Sequence, residues 1–501
     1  MKNFTLLFFA LGLFIPSASE KFEEYIVKIE EGSVIEGKRL LNRLKREDHI
    51  TKWKYLDTVK DALTTANEVA VTDLTASDAV KSVELDTDMG LIDNTDGDGQ
   101  GRIRRRNRNL DDTLQVVSVT PESVGYTPHP IEATNAADVP ELPSETKKIC
   151  IVDSGYDTGN SYIPTLEKGD GLDSTNGYSS YKSNLWSEDV NGHGTRMASL
   201  LVGTGQNGTL IRGIMNQKSD NNFTNFVIAK AVEDDGTSTA SHVIDAMNSC
   251  AERDADVIIL SVTSKTYSPA FADAVKVLFE EKDCLLLAPT GGSRDSNTGS
   301  LYPALYKHVI SVGAIDENYN SEGYSLSNTQ NEIMAFGVRL GTGNTFGDEE
   351  FLTGTSVAVP LVAGSAALIW SHFPDCSPMQ VRYALAHTAN RGTPYSNGDC
   401  NIFMGHGVVD AKAAYDFLKA HTCTGAGSID KWNIKYRNKS IVESGNCFGT
   451  VEQTTSPCVD IEGGWENASG AEVDCFWVIS ENLCAEYGAG WCPFSCDMCF
   501  G

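Results

Sequence analysis

Positive charge is scarce in this chain: 40 Lys and Arg stand against 68 Asp and Glu, a formal charge of −28 over 501 residues. So acidic a surface repels phosphate backbones and anionic headgroups, which argues against nucleic-acid or membrane-surface binding and favours solubility. Long apolar runs are also missing. A membrane-spanning helix needs about 20 consecutive apolar residues. The run Phe4 to Pro16 falls short of that, and Val357 to Trp370 is largely apolar but contains Pro360. No nucleic acid and no stable membrane insertion are therefore expected.

What is present begins at the N-terminus. Lys2 precedes the apolar run, and Ser17-Ala18-Ser19 follows it with the small residues of a cleavage site. This pattern predicts a signal peptide over residues 1–19 and a secreted, extracellular protein. Four sequons, at Asn207, Asn222, Asn438 and Asn467, agree with passage through a glycosylating pathway. Thirteen cysteines in such a compartment predict disulfides. Six of them crowd the C-terminus (Cys458, Cys475, Cys484, Cys492, Cys496, Cys499), where spacing alone allows fifteen connectivities. The other seven are an odd number, so at least one is free or pairs between chains. Cys376 with Cys400 and Cys423 with Cys447 are the expected local pairs, and Cys150 is expected to be a buried thiol.

Three segments carry chemistry. Leu352 to Pro360 presents Ser356 at the mouth of a helix continued by Leu361 to Trp370. The free N–H groups of a helix start supply a donor for a developing oxyanion. Lys148 to Gly155 is a β-branched run that reads as a buried strand delivering Asp153 to its carboxyl end. Asp189 to Thr195 holds His193 between two glycines at the start of an apolar helix. A carboxylate, an imidazole and a hydroxyl of these kinds make a nucleophilic triad.

In these segments, and in their order, the chain resembles the subtilisin-like serine peptidases (subtilases, peptidase S8). Asn225 to Gly236, Ala255 to Thr263 and Val309 to Ile315 resemble further strands of that family. The resemblance implies an α/β, three-layer fold with a mostly parallel sheet. A small α+β propeptide would precede it, and a small disulfide-rich domain would follow. It divides the chain into the signal peptide, an inhibitory propeptide with a basic processing linker (20–106), a catalytic domain (107–421), a linker (422–457) and a C-terminal module (458–499). In the propeptide, Tyr25 to Ile29 predicts a strand, Arg39 to Leu56 has helical composition, and Val80 to Asp88 resembles a closing strand. Arg102 to Arg106 is the expected region of maturation cleavage.

For the site, the resemblance implies Ser356 as nucleophile, His193 as general base and Asp153 as its orienting carboxylate. It also implies a substrate-binding segment at Ser261, Val262 and Thr263. No cofactor is required for this chemistry. Structural calcium is compatible with the acidity, but its ligands are unassigned. Asp93 to Gln100 imitates part of a calcium loop, yet the twelfth position counted from Asn94 is Arg105 and not a glutamate. The main departure from the family is Gly292, which stands where subtilases carry an oxyanion asparagine. Thr290, Ser293 and Asn297 are the nearby alternative donors. Lesser departures are Ala335-Phe336-Gly337 in place of Ala-Pro-Gly, and Leu361 in place of a histidine.

The C-terminal module resembles the ShK-toxin-like (ShKT) domain, whose pairing would join Cys458–Cys499, Cys475–Cys492 and Cys484–Cys496. The expected function is that of a secreted serine endopeptidase made as a zymogen, a monomer with protein or peptide substrates and its own propeptide as inhibitor. The rival expectation is a catalytically weak or silent subtilase, binding or acting as a decoy through its ShKT module.

Overall fold

The computed structural model describes residues 22–30, 32–59, 61–91, 129–143, 145–165, 172–181, 185–205, 211–216, 225–291, 301–321, 325–326, 331–345, 349–390, 404–421, 423–424, 465–466 and 472–473. The signal-peptide run, the acidic and arginine-rich stretch from 93 to 106, Gly292, Ser293, Asn297, the four sequon asparagines, Cys400, Cys447 and the six C-terminal cysteines lie outside these residues.

The chain divides into two units, the first made of Met1–Tyr55 and Lys60–Leu85. Its elements are β1 (Glu23–Ile29), α1 (Val34–Arg46), β2 (Ile50–Leu56), β3 (Asp61–Ala66), α2 (Glu68–Thr75) and β4 (Val80–Leu85). They build a sheet of order β2-β3-β1-β4, with β1 antiparallel to β3 and to β4. Val27, Ile29, Leu41, Leu44, Ile50, Ala62 and Leu74 form its core. The helical expectation for Arg39 to Leu56 is corrected here. The helix stops at Arg46, Asp48 takes the left-handed φ of 61°, and Ile-Thr-Lys-Trp-Lys-Tyr-Leu continues as a strand. β-Branched and aromatic residues alternating with polar ones suit a pleated, half-buried surface better than a helix face.

The second unit holds the large sheet. After β5 (Asp88–Gly90) and the short α3 (Pro130–Ala133) come β6 (Ile149–Asp153), β7 (Gly177–Ser179), α4 (His193–Val202), β8 (Phe226–Lys230), β9 (Thr237–Thr239) and α5 (Ala240–Glu252). β10 (Val257–Leu260), α6 (Pro269–Glu280), β11 (Leu285–Pro289), β12 (Val309–Ile315), β13 (Ile333–Phe336), β14 (Leu340–Gly343) and β15 (Glu349–Leu352) follow. α7 (Thr355–His372), α8 (Pro378–Thr388) and α9 (Ala411–Ala420) complete it. Seven strands align in the order β13-β12-β11-β10-β6-β8-β7, and every pairing is parallel. Every residue of β6, β8, β10, β11 and β12 is buried. Such strands need cover on both faces, which explains their continuous aliphatic sequences. α4 and α7 pack together against the sheet, and so do α5 and α6. The expected subtilisin-like layered architecture is thus observed.

α7 is long and apolar enough to cross a membrane, yet all of it except His372 is buried, so it is the core helix of this unit. Two disulfides differ from expectation. Cys150 is bonded to Cys250, which ties β6 to α5, with Cα atoms 5.8 Å apart. Cys376 is bonded to Cys423, Cα atoms 5.0 Å apart, and neither makes the local pair expected for it. Sequence proximity misled because α7, α8 and α9 fold back together and bring the two distant cysteines side by side. Cys284 is the free one among the described residues; burial pushes its thiol up to about 12, so it is an inert group in the core.

The Cys150–Cys250 bond spans 100 residues of chain. For a loop of that length, chain entropy in the unfolded state is worth about 4–5 kcal/mol. The Cys150→Ala/Cys250→Ala variant should lose stability of that order, read as a lower denaturant midpoint with a steeper slope, since the unfolded chain freed of its cross-link exposes more surface.

Candidate active site

The chain runs from β6 outward through β7 and β8, then crosses back to β10 on the other side of β6. The carboxyl ends of β6 and β10 therefore flank a topological switch point, where open parallel sheets form their ligand crevice. Asp153 is the last residue of β6 and is fully buried. His193 opens α4, and its Nδ1 lies 2.9 Å from both Oδ1 and Oδ2 of Asp153.

Ser356 is the second residue of α7 and also stands at the carboxyl edge. The N–H of Gly354 donates to the Gly337 carbonyl at 2.8 Å, and Gly337 in turn donates to Ile315, the end of β12. A Cβ on Gly337 would come within 2.7 Å of the Gly354 carbonyl, so only glycine lets the nucleophile loop approach so closely. Deeper down, Gly364 of α7 lies against Leu201 of α4; a Cβ there would meet Leu201 Cδ2 at 3.1 Å. Gly364 follows Ser356, and Leu201 follows His193, by the same number of residues. At about 1.5 Å per residue, the contact lies about 12 Å down each helix. Pro360, four residues after Ser356, has no N–H to bond the Ser356 carbonyl. The free N–H groups of the first turn stand beside the Ser356 hydroxyl.

The His193 side chain is 16% exposed. Burial alone would disfavour its charged form, but the Asp153 carboxylate outweighs burial and raises the imidazole above its ordinary 6.5. Arg196 opposes that rise and Asp189 supports it.

Several supporting residues were not given roles from sequence. The buried Asp189 carboxylate accepts from Ser154 Oγ at 2.8 Å, the Gly192 N–H at 2.8 Å, the Thr195 N–H at 2.8 Å and Thr195 Oγ1 at 2.6 Å. Ser154 Oγ accepts the Gly194 N–H at 3.0 Å, and the Ser154 N–H donates to Asp153 Oδ1 at 2.7 Å. One carboxylate thus fastens the turn after Asp153 to the turn around His193. Lys230, buried at the end of β8, donates from Nζ to the Ser154 carbonyl at 2.5 Å and to Asp234 Oδ1 at 3.2 Å. Ser154 and Asp189 were visible inside the Asp-Ser-Gly and Asp-Val-Asn-Gly-His motifs, but Lys230 gave no signal beyond a lysine in an apolar run.

Of the expected oxyanion residues, Thr290 is buried and donates from Oγ1 to the Gly291 carbonyl at 3.2 Å. The Thr355 hydroxyl, beside the nucleophile, is buried without a hydrogen-bond partner among the described residues. No group of three or more His, Cys, Asp or Glu that could hold a metal ion occurs among the described residues, so no calcium ligand is assigned.

β10 ends at Leu260, so Ser261, Val262 and Thr263 follow the strand and do not belong to it. Thr263 exchanges hydrogen bonds with Gly90, of 2.9 and 3.1 Å, and Ser264 Oγ donates to the Asp88 carbonyl at 2.8 Å. On its other edge β5 pairs antiparallel with β9, Met89 opposite Ser238, and the Leu91 N–H donates to the Gly236 carbonyl at 3.0 Å. Asp86 to Leu91 is therefore an extended segment laid between two edges beside the crevice.

A family profile described as the subtilase family matches residues 144–407. Subtilisin DY of Bacillus licheniformis is 30% identical over 267 residues, covering 52% of this chain and 92% of that protein. Thermitase of Thermoactinomyces vulgaris is 27% identical over 282 residues, covering 56% and 94% respectively. The crystal structure of a psychrophilic subtilisin-like protease from the Antarctic psychrotroph Pseudoalteromonas sp. AS-11 shares the fold at 20% identity. Its TM-score is 0.51, and the match covers 60% of this chain and 99% of that one.

Proposed function

The chain belongs to the subtilase family, and from that premise we propose that it is a secreted serine endopeptidase, made as a zymogen, with Ser356, His193 and Asp153 as its triad. The observation that carries the proposal is the buried Asp153 carboxylate bonded at 2.9 Å to His193 Nδ1. Asp153 keeps the proton on Nδ1, which leaves the Nε2 lone pair to take the hydroxyl proton of Ser356. The hydroxyl oxygen attacks the scissile carbonyl, and His193 then protonates the departing amine to leave an acyl-enzyme. Water, activated by the same imidazole, releases the acyl group. Burial of Asp153 is compatible with its charge because Ser154 and His193 both donate to it.

The tetrahedral oxyanion would be met by the Ser356 N–H at the start of α7. The family asparagine is absent at Gly292. In subtilisins, loss of that donor lowers turnover about 10²–10³-fold, which leaves most of a typical enzymatic acceleration in place. The Gly292→Asn variant should therefore raise kcat; an unchanged kcat counts against the alignment that puts Gly292 in this role.

Substrates of this class are polypeptides, and they would bind by strand addition between Thr237–Thr239 and Thr263. The chain's own segment Asp86 to Leu91 occupies that position, which supports a propeptide that inhibits as a substrate mimic. Maturation cleavage then falls beyond Leu91, on the stretch through Arg102 to Arg106. Secretion is supported by the signal-peptide pattern and by two disulfides among the described residues. The ShKT module over 458–499 stays part of the proposal as an appended binding or targeting domain. The decoy reading gains no support from this geometry.

A fluorophosphonate probe tests the assignment. It should label the processed chain and fail to label the Ser356→Ala variant; a processed wild-type chain that is not labelled overturns the endopeptidase reading.

A further inference from the structure

For the Ser356 hydroxyl to meet the His193 imidazole, two separate elements must be held in register, and a buried ion pair joins them away from the reacting atoms. Arg196 lies just under one turn after His193 on α4, and its Nε donates to Oε1 of Glu350 on β15. The two side chains are 9% and 5% exposed. Glu350 belongs to the strand that feeds directly into the loop and helix mouth carrying Ser356. The same guanidinium reaches the other side of His193: its Nη1 donates to the Asn191 carbonyl at 3.3 Å. Nη1 also lies 2.8 Å from where a Cβ on Gly192 would stand, so the cation rests against the residue immediately before the histidine. A second tie runs beside it, from the Gly343 N–H on β14 to Ser199 Oγ on α4, at 3.2 Å.

Net stability is a poor explanation for such a pair. Removing two charges from water costs about as much as their attraction returns, and apolar replacements of similar volume are often neutral or stabilising. What a guanidinium supplies that an apolar contact lacks is a rigid planar fork of directed donors. Here the fork grips the His193 turn with one nitrogen and the strand leading to Ser356 with another. We propose, resting on the endopeptidase reading above, that Arg196 and Glu350 are a positioning pair that sets the geometry between the His193 imidazole and the Ser356 hydroxyl. They touch neither substrate nor reacting atoms and act through the base and the nucleophile. A displacement of about 1 Å at such a contact is enough to cost about 10²-fold in rate.

The test uses the full chain after processing. Fluorophosphonate titration of the wild type comes first, because an unreactive wild type overturns the endopeptidase reading itself. With a reactive wild type, the Arg196→Met/Glu350→Leu double variant removes both charges and leaves neither orphaned. It should fold with a thermal midpoint no lower than the wild type. Its kcat on a peptide substrate should fall about 10²-fold with KM unchanged. Arg196→Lys keeps the charge without the fork, so it should hold the acid limb of the pH profile at the wild-type position but lose much of kcat. Arg196→Met alone should move that limb to higher pH. The charged groups acting on His193 would then be Asp153 on β6 and Asp189 before α4, both carboxylates. Wild-type kcat in the folded double variant overturns the proposal. Should that variant not fold, wild-type kcat in Arg196→Lys overturns it equally.

Discussion

Replacing Ser356 with alanine should lower kcat by about 10⁶-fold, the size of the effect known for the nucleophile of a subtilisin. The magnitude follows from what is removed. No neighbouring group can take over covalent attack, since the other hydroxyl in the turn, Thr355, belongs to a fully buried side chain. What survives is the slow, direct attack of water on a carbonyl still polarised by backbone N–H groups. The fold should be indifferent, because the cap of α7 is Gly354 and not Ser356, and one side-chain hydrogen bond is worth only about 0.5–1.5 kcal/mol net. The measurement is single-turnover hydrolysis of a peptide ester beside a thermal melt. A second readout is independent of added substrate: if the chain cleaves itself, Ser356→Ala stays full length where the wild type is processed. A variant that keeps more than a hundredth of wild-type kcat, or one that still loses its N-terminal region in pure form, removes Ser356 from its role.

Asp153→Asn carries the second largest effect, a fall in kcat of about 10⁴-fold. An asparagine fits the same space, but its NH₂ group turned towards Nδ1 would force the imidazole proton onto Nε2. The lone pair would then point away from Ser356. The pH dependence carries a separate signature. A general base works only when neutral, and His193 is held above its ordinary 6.5, so kcat/KM of the wild type should fall as pH drops through a value above 6.5. Without the carboxylate, burial and Arg196 remain to disfavour the imidazolium, and the acid limb should move below 6.5. Stability moves the opposite way. A raised folded-state pKa contributes stability in full below the unfolded value and loses it as pH rises through the folded value. Denaturant midpoints should therefore separate wild type and Asp153→Asn most at acid pH. An acid limb unchanged by the substitution would show that Asp153 does not tune His193.

Much of this was legible in the sequence, and for identifiable reasons. The strands of the parallel sheet, such as Val309–Ile315, are buried on both faces and so read as unbroken aliphatic runs. Asp153, His193 and Ser356 each sit in a short motif because a strand end, a glycine turn and a helix start each impose local residue choices. Edges were less legible: the strand expected to run to Thr263 ends at Leu260, and although the Ser261 N–H still donates to Val152 of β6, Thr263 exchanges its hydrogen bonds with Gly90 and not with the sheet. The helix expected through Leu56 fails at Asp48 because composition says nothing of a left-handed residue and a two-residue alternation.

The sequence by itself pointed to the groups proposed to carry the chemistry, and it determined the parallel α/β class and the absence of an asparagine at position 292. These depend on residue identity and on nearest-neighbour pattern, which the chain carries locally. Only the tertiary structure decided that Cys150 meets Cys250 and Cys376 meets Cys423. It alone laid Asp86 to Leu91 between Ser238 and Thr263, and it alone brought Arg196 to Glu350. Each of these joins residues far apart in the chain, and no local pattern marks two side chains that only packing brings into contact.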